Sequence, residues 1–201
     1  MNAAIVLTST RLVLAPLFAW TFVTGYGGRP QVAWLWAAVA VAVLSEFTDA
    51  IDGMVARGQG LVTDFGKVLD PSADSLARLT AFISFMVCGI IPLWMFLVFM
   101  YRELLMGLLR VVCASRGTVL AARRSGKFKA IVQAAAILAV LVVCLLDAYG
   151  VEGARTWVLG RHLGFWIVAV PAVVTALSFL DYVIPNWHAI LAMAEPRAKR
   201  G

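Results

Sequence analysis

The stretch FKAIVQAAAILAVLVVCLL, residues 128–146, decides the fold class of this chain. Only Lys129 and Gln133 interrupt its apolar character, and its length is about the 20 residues that a helix needs to cross a bilayer. Similar blocks precede and follow it, so the predicted spans cover residues 5–24, 31–57, 65–88, 93–113, 128–146 and 163–184. The sequence therefore predicts an all-α integral membrane protein with six transmembrane helices.

The composition supports this prediction. Of the 201 residues, 62% are apolar and 14% are charged, whereas soluble domains have roughly 45–50% apolar residues. This balance excludes a disordered chain and a water-soluble globule. Six spans with short connections leave no room for another domain, so we expect residues 1–201 to form a single membrane domain. The cysteines, Cys88, Cys113 and Cys144, lie inside apolar blocks, which excludes a disulfide framework from the expected fold.

The distribution of cations predicts the orientation, because cytoplasmic connections of membrane proteins are enriched in Lys and Arg. With the N-terminus in the cytoplasm, the outer connections hold only Arg29, Arg155 and Arg161. The inner connections and the C-terminal segment hold the larger set: Arg57, Lys67, Arg116, Arg123, Arg124, Lys127, Lys129, Arg197, Lys199 and Arg200. We therefore expect both termini in the cytoplasm.

Four aspartates interrupt the second and third apolar blocks near their predicted cytoplasmic ends. The second block ends in DAIDGMVAR, residues 49–57, and the third contains GKVLDPSAD, residues 66–74. On helices, Asp49 and Asp52 share one face, as do Asp70 and Asp74, because residues three or four apart are neighbours. The connection between the two helices is short, so both pairs can face one site.

An acidic side chain at the centre of a membrane helix costs about 2.5–3.5 kcal/mol. Divalent cations remove that cost, since hard cations prefer carboxylate oxygens. Two such ions held close together support an in-line displacement at phosphorus. The aspartates therefore predict a metal-dependent phosphoryl-transfer site. The structural alternative is a set of ion pairs with Arg57 and Lys67.

Small residues and a cation accompany the aspartates. Gly53, Ala56 and Gly66 let helix backbones and a phosphate ligand approach closely, and Arg57 can hold a phosphate oxygen. The complete string at fixed spacing is Asp49, Asp52, Gly53, Ala56, Arg57, Gly66, Asp70 and Asp74. It resembles the signature of the CDP-alcohol phosphotransferase family, whose six-helix membrane architecture agrees with the six predicted spans.

The resemblance implies a transfer from a CDP-linked lipid or alcohol to a hydroxyl acceptor, with CMP as the leaving product. It implies that Asp49, Asp52, Asp70 and Asp74 bind two divalent metal ions, Mg²⁺ or Mn²⁺, and that Asp74 is the catalytic base for the acceptor hydroxyl. The residues that it implies for CDP binding are Asp52, Gly53, Ala56, Arg57 and Gly66. It also implies a homodimer.

Further motifs are similar to one branch of the family, which joins CDP-diacylglycerol to sn-glycerol 3-phosphate. They are LTSTR at 7–11 with Pro16, TDFGKVLDP at 63–71, Arg102-Glu103, Arg110 and GKFK at 126–129. Two features depart from that branch: the usual asparagine–proline opening is absent, and Ser75 follows the last aspartate where a lysine is usual. Another acceptor alcohol, such as inositol phosphate, serine or choline, is therefore the alternative.

A phosphorylated acceptor needs cations of its own, and the candidates are Arg110, Lys127 and Lys129. For the lysines, the alternative is the general cytoplasmic excess of cations. For Arg110 and Arg102, the alternative is an ion pair with Glu103 inside the helix bundle, because charges within a membrane rarely lack a partner.

Two more charged residues bear on the aspartates. Arg11 is expected either to pair with an aspartate or to contact the nucleotide. Glu46, three residues before Asp49, is expected to serve helix packing, and assistance to the aspartate site is the alternative.

The expected partners are the lipid bilayer, CDP-diacylglycerol and glycerol 3-phosphate or a related alcohol, with no nucleic acid. The expected location is the bacterial inner (plasma) membrane, with the active site facing the cytoplasm. A distant alternative is a cation-coupled transporter that uses the aspartates as an ion path. That alternative gives no reason for the glycine, alanine and arginine positions of the motif.

Overall fold

The structure, a computed structural model, describes residues 3–59, 64–115, 124–151, 157–158 and 161–194. For part of these ranges only the backbone is described, namely for residues 3–9, 49–59, 64–71, 110, 112, 114–115, 124, 157–158, 185–186 and 188–194. The described residues form six α-helices and one short hairpin. In chain order these are α1 (Ala3–Tyr26), α2 (Val32–Gln59), α3 (Asp64–Val87), α4 (Leu93–Ser115), α5 (Arg124–Ala148), β1 (Trp157–Val158), β2 (Arg161–His162) and α6 (Leu163–Ala194).

Two helices end in the same glycine-based cap. Gly89 after α3 and Gly150 after α5 have φ angles of 74° and 73°, which a residue without a Cβ adopts at little cost. The amide of Ile90 donates to the carbonyl of Phe85 at 2.9 Å, and the amide of Val151 donates to Leu146 at 3.0 Å. These Schellman caps satisfy carbonyls at the helix ends and turn the chain back towards the bundle.

Aromatic side chains fill the middle of the bundle. Phe82 of α3 stacks on Phe99 of α4 with ring centroids 4.0 Å apart, and Phe22 of α1 meets Phe85 of α3 edge-on at 5.0 Å. All four side chains are buried. Helix α1 packs on α2 and α3, α6 packs on α4 and α5, and α2 contacts α5. The core therefore joins all six helices into one bundle.

Large apolar side chains also cover the outside of the bundle. Val13, Leu108, Ile131 and Ile184 are examples, each more than 60% exposed, and an apolar exterior of this extent is typical of a surface that contacts lipid. Among the described residues, Ser125–Ala148 in α5 and Leu163–Ile184 in α6 are long and apolar enough to cross a membrane, and Val32–Thr48 is a shorter apolar segment. The all-helical prediction is confirmed, whereas the number of spans stays a prediction.

Two local features were not predicted: a strand pair before the last helix, and a continuation of that helix beyond the predicted span of residues 163–184. The polar loop before the last helix contains an antiparallel pair, with Trp157 opposite His162 and Val158 opposite Arg161. The last helix does not end at Pro185 but continues to Ala194. A proline removes one backbone hydrogen bond and bends a helix without necessarily ending it, because the following turns can still form their own hydrogen bonds.

Candidate active site

The structure places the predicted motif on two consecutive helices. Asp49, Asp52, Gly53, Ala56 and Arg57 lie in the last part of α2, and Gly66, Asp70 and Asp74 lie in the first half of α3. The side chains of 49–71 are outside the described part of the chain, so the meeting of the four carboxylates stays a prediction. Asp74 is the member of the motif whose side chain is described.

Asp74 is held by two arginines. Nη1 of Arg11, from α1, forms an ion pair with Oδ1 of Asp74, and Nη2 of Arg78 lies 3.6 Å from Oδ2. The side chain of Arg11 is 1% exposed and that of Asp74 is 24% exposed. Of the two expectations for Arg11, the structure contains the pair with an aspartate. We call Arg11, Asp74 and Arg78 the Asp74 cluster.

A second polar group includes Ser75, the residue that follows Asp74 on α3, and charged residues of α4 and α5. Oε1 of Glu103, from α4, accepts a hydrogen bond from Nη1 of Arg102 at 3.0 Å and forms an ion pair with Nζ of Lys129 from α5. Oε2 of Glu103 accepts a hydrogen bond from Oγ of Ser75 at 2.7 Å. We call Ser75, Arg102, Glu103 and Lys129 the Glu103 cluster, and it joins α3, α4 and α5.

The candidates for the acceptor phosphate have different surroundings. Lys129 is 4% exposed and pairs with Glu103, whereas Lys127 is exposed. The side chain of Arg110 lies outside the description. The alternative given for Arg102, an ion pair with Glu103 inside the bundle, is present in the structure.

A cleft opens beside the Asp74 cluster. Its polar end is lined by Arg11, Ser45, Glu46, Asp74, Ala77 and Arg78. This end shares Ser45, Glu46, Ala77 and Arg78 with a neighbouring cavity. The rest of that cavity is apolar and is formed by Leu14, Ala15, Phe18, Val41, Ala42, Ala81, Ala134, Ile137 and Leu138. Charged and apolar surfaces therefore meet near Asp74, at the residues that the two share.

The chemistry of Asp74 fits a metal ligand and a base. Its carboxylate is partly exposed and lines the polar end of the cleft, where a ligand can reach it. Among the side chains that the structure describes, no group of three or more His, Cys, Asp or Glu could hold a metal ion. Asp49, Asp52 and Asp70 are not among those side chains.

Sequence reasoning missed one contribution to this site and left another as an alternative. Arg78 was not singled out, although it lies one helical turn after Asp74, a spacing at which opposite charges meet. Glu46 was expected in packing, with assistance to the site as the alternative, and its side chain lines the cleft together with Arg11 and Asp74.

The comparison with known families agrees with the motif. The model of the CDP-alcohol phosphatidyltransferase family matches residues 1–177. The chain belongs to this family of membrane-associated enzymes, and it is therefore a transferase. This result decides against the cation-coupled transporter.

Three bacterial proteins are similar to this chain. The chain is 34% identical over 147 residues to the CDP-diacylglycerol–glycerol-3-phosphate 3-phosphatidyltransferase of Treponema pallidum, covering 73% of this chain and 68% of that protein. It is 32% identical over 195 residues to the Bacillus subtilis protein of the same name, covering 92% and 94%. It is 38% identical over 138 residues to a Mycobacterium tuberculosis protein named "probable phosphatidylglycerophosphate synthase", covering 68% and 64%.

Proposed function

We propose that this enzyme transfers the phosphatidyl group of CDP-diacylglycerol to sn-glycerol 3-phosphate, producing phosphatidylglycerophosphate and CMP. The observation that carries the proposal is the position of Asp74 in a polar pocket with two arginines, beside an apolar cavity that shares Arg78 with this pocket. A lipid with a charged head group needs both surfaces side by side. The names of the bacterial relatives support the same donor and acceptor.

Asp74 is the proposed base. It accepts the proton of the primary hydroxyl of glycerol 3-phosphate as that oxygen bonds to the lipid-side phosphorus of CDP-diacylglycerol. The bond from this phosphorus to the bridging oxygen breaks, and CMP leaves with the bonding electrons. Two Mg²⁺ or Mn²⁺ ions on Asp49, Asp52, Asp70 and Asp74 would stabilise the negative charge of the transition state.

The proposed contacts with the substrates follow the two ends of the site. Gly53, Ala56, Arg57 and Gly66 are the proposed residues around the cytidine diphosphate, together with Asp52. Arg110, Lys127 and Lys129 are the proposed cations for the acceptor phosphate. The apolar cavity bordered by Ala42, Ala81 and Ala134 is a suitable environment for the hydrophobic part of the donor.

The proposed architecture is a single membrane domain over residues 1–201, with six spans, cytoplasmic termini and the active site on the cytoplasmic side of a bacterial inner membrane. Labelling of introduced cysteines with an impermeant maleimide tests the orientation. Lys127→Cys should react only after the membrane is opened, whereas Gly28→Cys, between α1 and α2, should react in intact cells. The reverse pattern would exclude this orientation. Crosslinking in the membrane tests the proposed homodimer.

The deciding experiment offers radiolabelled CDP-diacylglycerol and Mg²⁺ to the purified protein with glycerol 3-phosphate, inositol phosphate, serine or choline. We expect labelled lipid product with glycerol 3-phosphate, and loss of that product when EDTA removes the metal. A product with another alcohol and none with glycerol 3-phosphate would show that the proposed acceptor is wrong. Full turnover in EDTA would exclude the proposed role of the aspartates.

A further inference from the structure

Glu103 joins three helices through hydrogen bonds and ion pairs of its carboxylate. Both of its carboxylate oxygens are used: Oε1 by Arg102 and Lys129, and Oε2 by Ser75. Its side chain is 11% exposed, and those of its two cationic partners are 8% and 5% exposed. A buried carboxylate with three donors from three helices fixes the directions of all of them.

The Glu103 cluster carries more positive than negative charge. Among the side chains that the structure describes, Arg102 and Lys129 share one carboxylate, that of Glu103. The Nε atom of Arg102 is buried and has no hydrogen-bond partner in the described part of the chain. Excess buried positive charge is expensive unless an anion completes it.

The Glu103 cluster is also tied directly to the proposed base. Ser75, which donates to Glu103, follows Asp74 in the chain, and Arg78, on the same helix, pairs with Asp74. Glu103 therefore connects the cations of α4 and α5 to the residue that follows Asp74. An anionic acceptor that reaches from these cations to Asp74 depends on the distance between them.

We propose that Glu103 is a positioning residue for the acceptor. It holds Lys129 and Arg102 at a fixed distance from Asp74, so that the phosphate of the acceptor and its reacting hydroxyl are placed together. This inference rests on the proposed function, and it assigns to Glu103 and Arg102 a role in acceptor affinity that neither the sequence motif nor the family membership gives them.

Steady-state kinetics of the purified full chain in lipid nanodiscs test the proposal. In Glu103→Gln the shape and the acceptor atom for Ser75 are kept, but Lys129 and Arg102 lose their common counter-charge and repel each other. We expect the KM for glycerol 3-phosphate to rise about tenfold or more, which is the scale of a misplaced substrate. The KM for CDP-diacylglycerol should change by less than about twofold, because the donor does not depend on these cations.

Two further variants keep the test decisive if Glu103→Gln folds poorly. Glu103→Asp retains the charge and should recover part of the acceptor affinity, and Ser75→Ala should raise the same KM by a smaller factor. The matched control is Asp181→Asn, which removes the carboxylate that accepts from Ser125 between α5 and α6 at 2.8 Å. It should leave both KM values unchanged.

The outcomes separate this inference from the proposed function. If Glu103→Gln, Glu103→Asp and Ser75→Ala lower kcat or the melting temperature without a selective rise in the acceptor KM, Glu103 is only structural and the inference is wrong. If wild type makes no product from glycerol 3-phosphate, the proposed function fails by itself. The same KM comparison then applies to the phosphorylated alcohol that does react, and an acceptor without phosphate would overturn both.

Discussion

The two ends of the helix bundle use polar side chains in different ways. At the end where α1 and α5 finish, the hydroxyl of Tyr26 donates to Asp147 at 2.8 Å and lies 3.2 Å from Nε2 of His162. The amide of Gly164 donates to Nδ1 of His162 at 3.0 Å. Because Nδ1 accepts, the hydrogen-bond pattern assigns the proton of the neutral ring to Nε2, which donates to Tyr26. Donors and acceptors alternate along this chain of groups.

The active-site end is about 22 Å away along α1, the rise of the helix from Arg11 to Tyr26. There Arg11 and Arg78 pair with Asp74, Arg102 and Lys129 pair with Glu103, and a cleft leads to Asp74. A polar network that only joins helices can pair all of its own donors and acceptors, whereas one that binds a charged ligand has charged groups that the ligand can reach. The polar groups at the Tyr26 end therefore serve the fold, whereas those at the Asp74 end are suited to binding a ligand.

Replacing one aspartate at each end tests the comparison most strongly. Asp74→Asn removes the proposed base and should lower CMP release by about 10³-fold or more at saturating Mg²⁺. Asp147→Asn keeps an oxygen that accepts from Tyr26 and should retain wild-type turnover. Release of labelled CMP measures both. Turnover near that of wild type in Asp74→Asn would remove this residue from the mechanism.

Shortening Arg11 should disturb activity and stability together. Arg11→Ala leaves Oδ1 of Asp74 without its buried partner, so we expect kcat to fall about tenfold and the unfolding free energy to fall by about 1–3 kcal/mol. Arg11→Lys, which retains the charge, should lose less of both. Initial rates and thermal unfolding in detergent measure these effects. Unchanged kcat in Arg11→Ala would show that the ion pair does not orient the base.

Filling the apolar cavity should weaken donor binding alone. Ala134→Leu places a larger side chain in the cavity wall. Because less space is then left for the donor, the KM for CDP-diacylglycerol should rise by about fivefold. The control is Ala135→Leu, because Ala135 is the next residue of α5 and is exposed. Equal effects of the two variants would contradict a role of this cavity in lipid binding.

The smallest effect on catalysis is expected at the opposite end. Tyr26→Phe removes the hydroxyl between Asp147 and His162 and should lower the unfolding free energy by about 1–3 kcal/mol. The kcat and both KM values should stay at wild-type levels. A marked loss of kcat without loss of stability would mean that this end takes part in the reaction.

Much of the site could be predicted because its residues are close in sequence. The spacing of Asp70 and Asp74 places both on one helix, and their cost in an apolar environment marks them as functional. The partner of Arg11 was left open between an aspartate and the nucleotide, because a sequence does not give the rotation of α1 against α3. The cavity was not predicted at all, since Ala15, Ala42 and Ala134 come from three separate helices.

The sequence by itself determined the class of protein, the six helices, the aspartate motif and the family. Hydrophobicity and helical spacing act over about 20 residues, and both are therefore read directly from the chain. Only the tertiary structure decided that Arg11 holds Asp74, that Glu103 collects Arg102, Lys129 and Ser75, and that alanines open a cavity beside them. These contacts depend on how each helix is rotated and packed against its neighbours, which is set by the whole bundle.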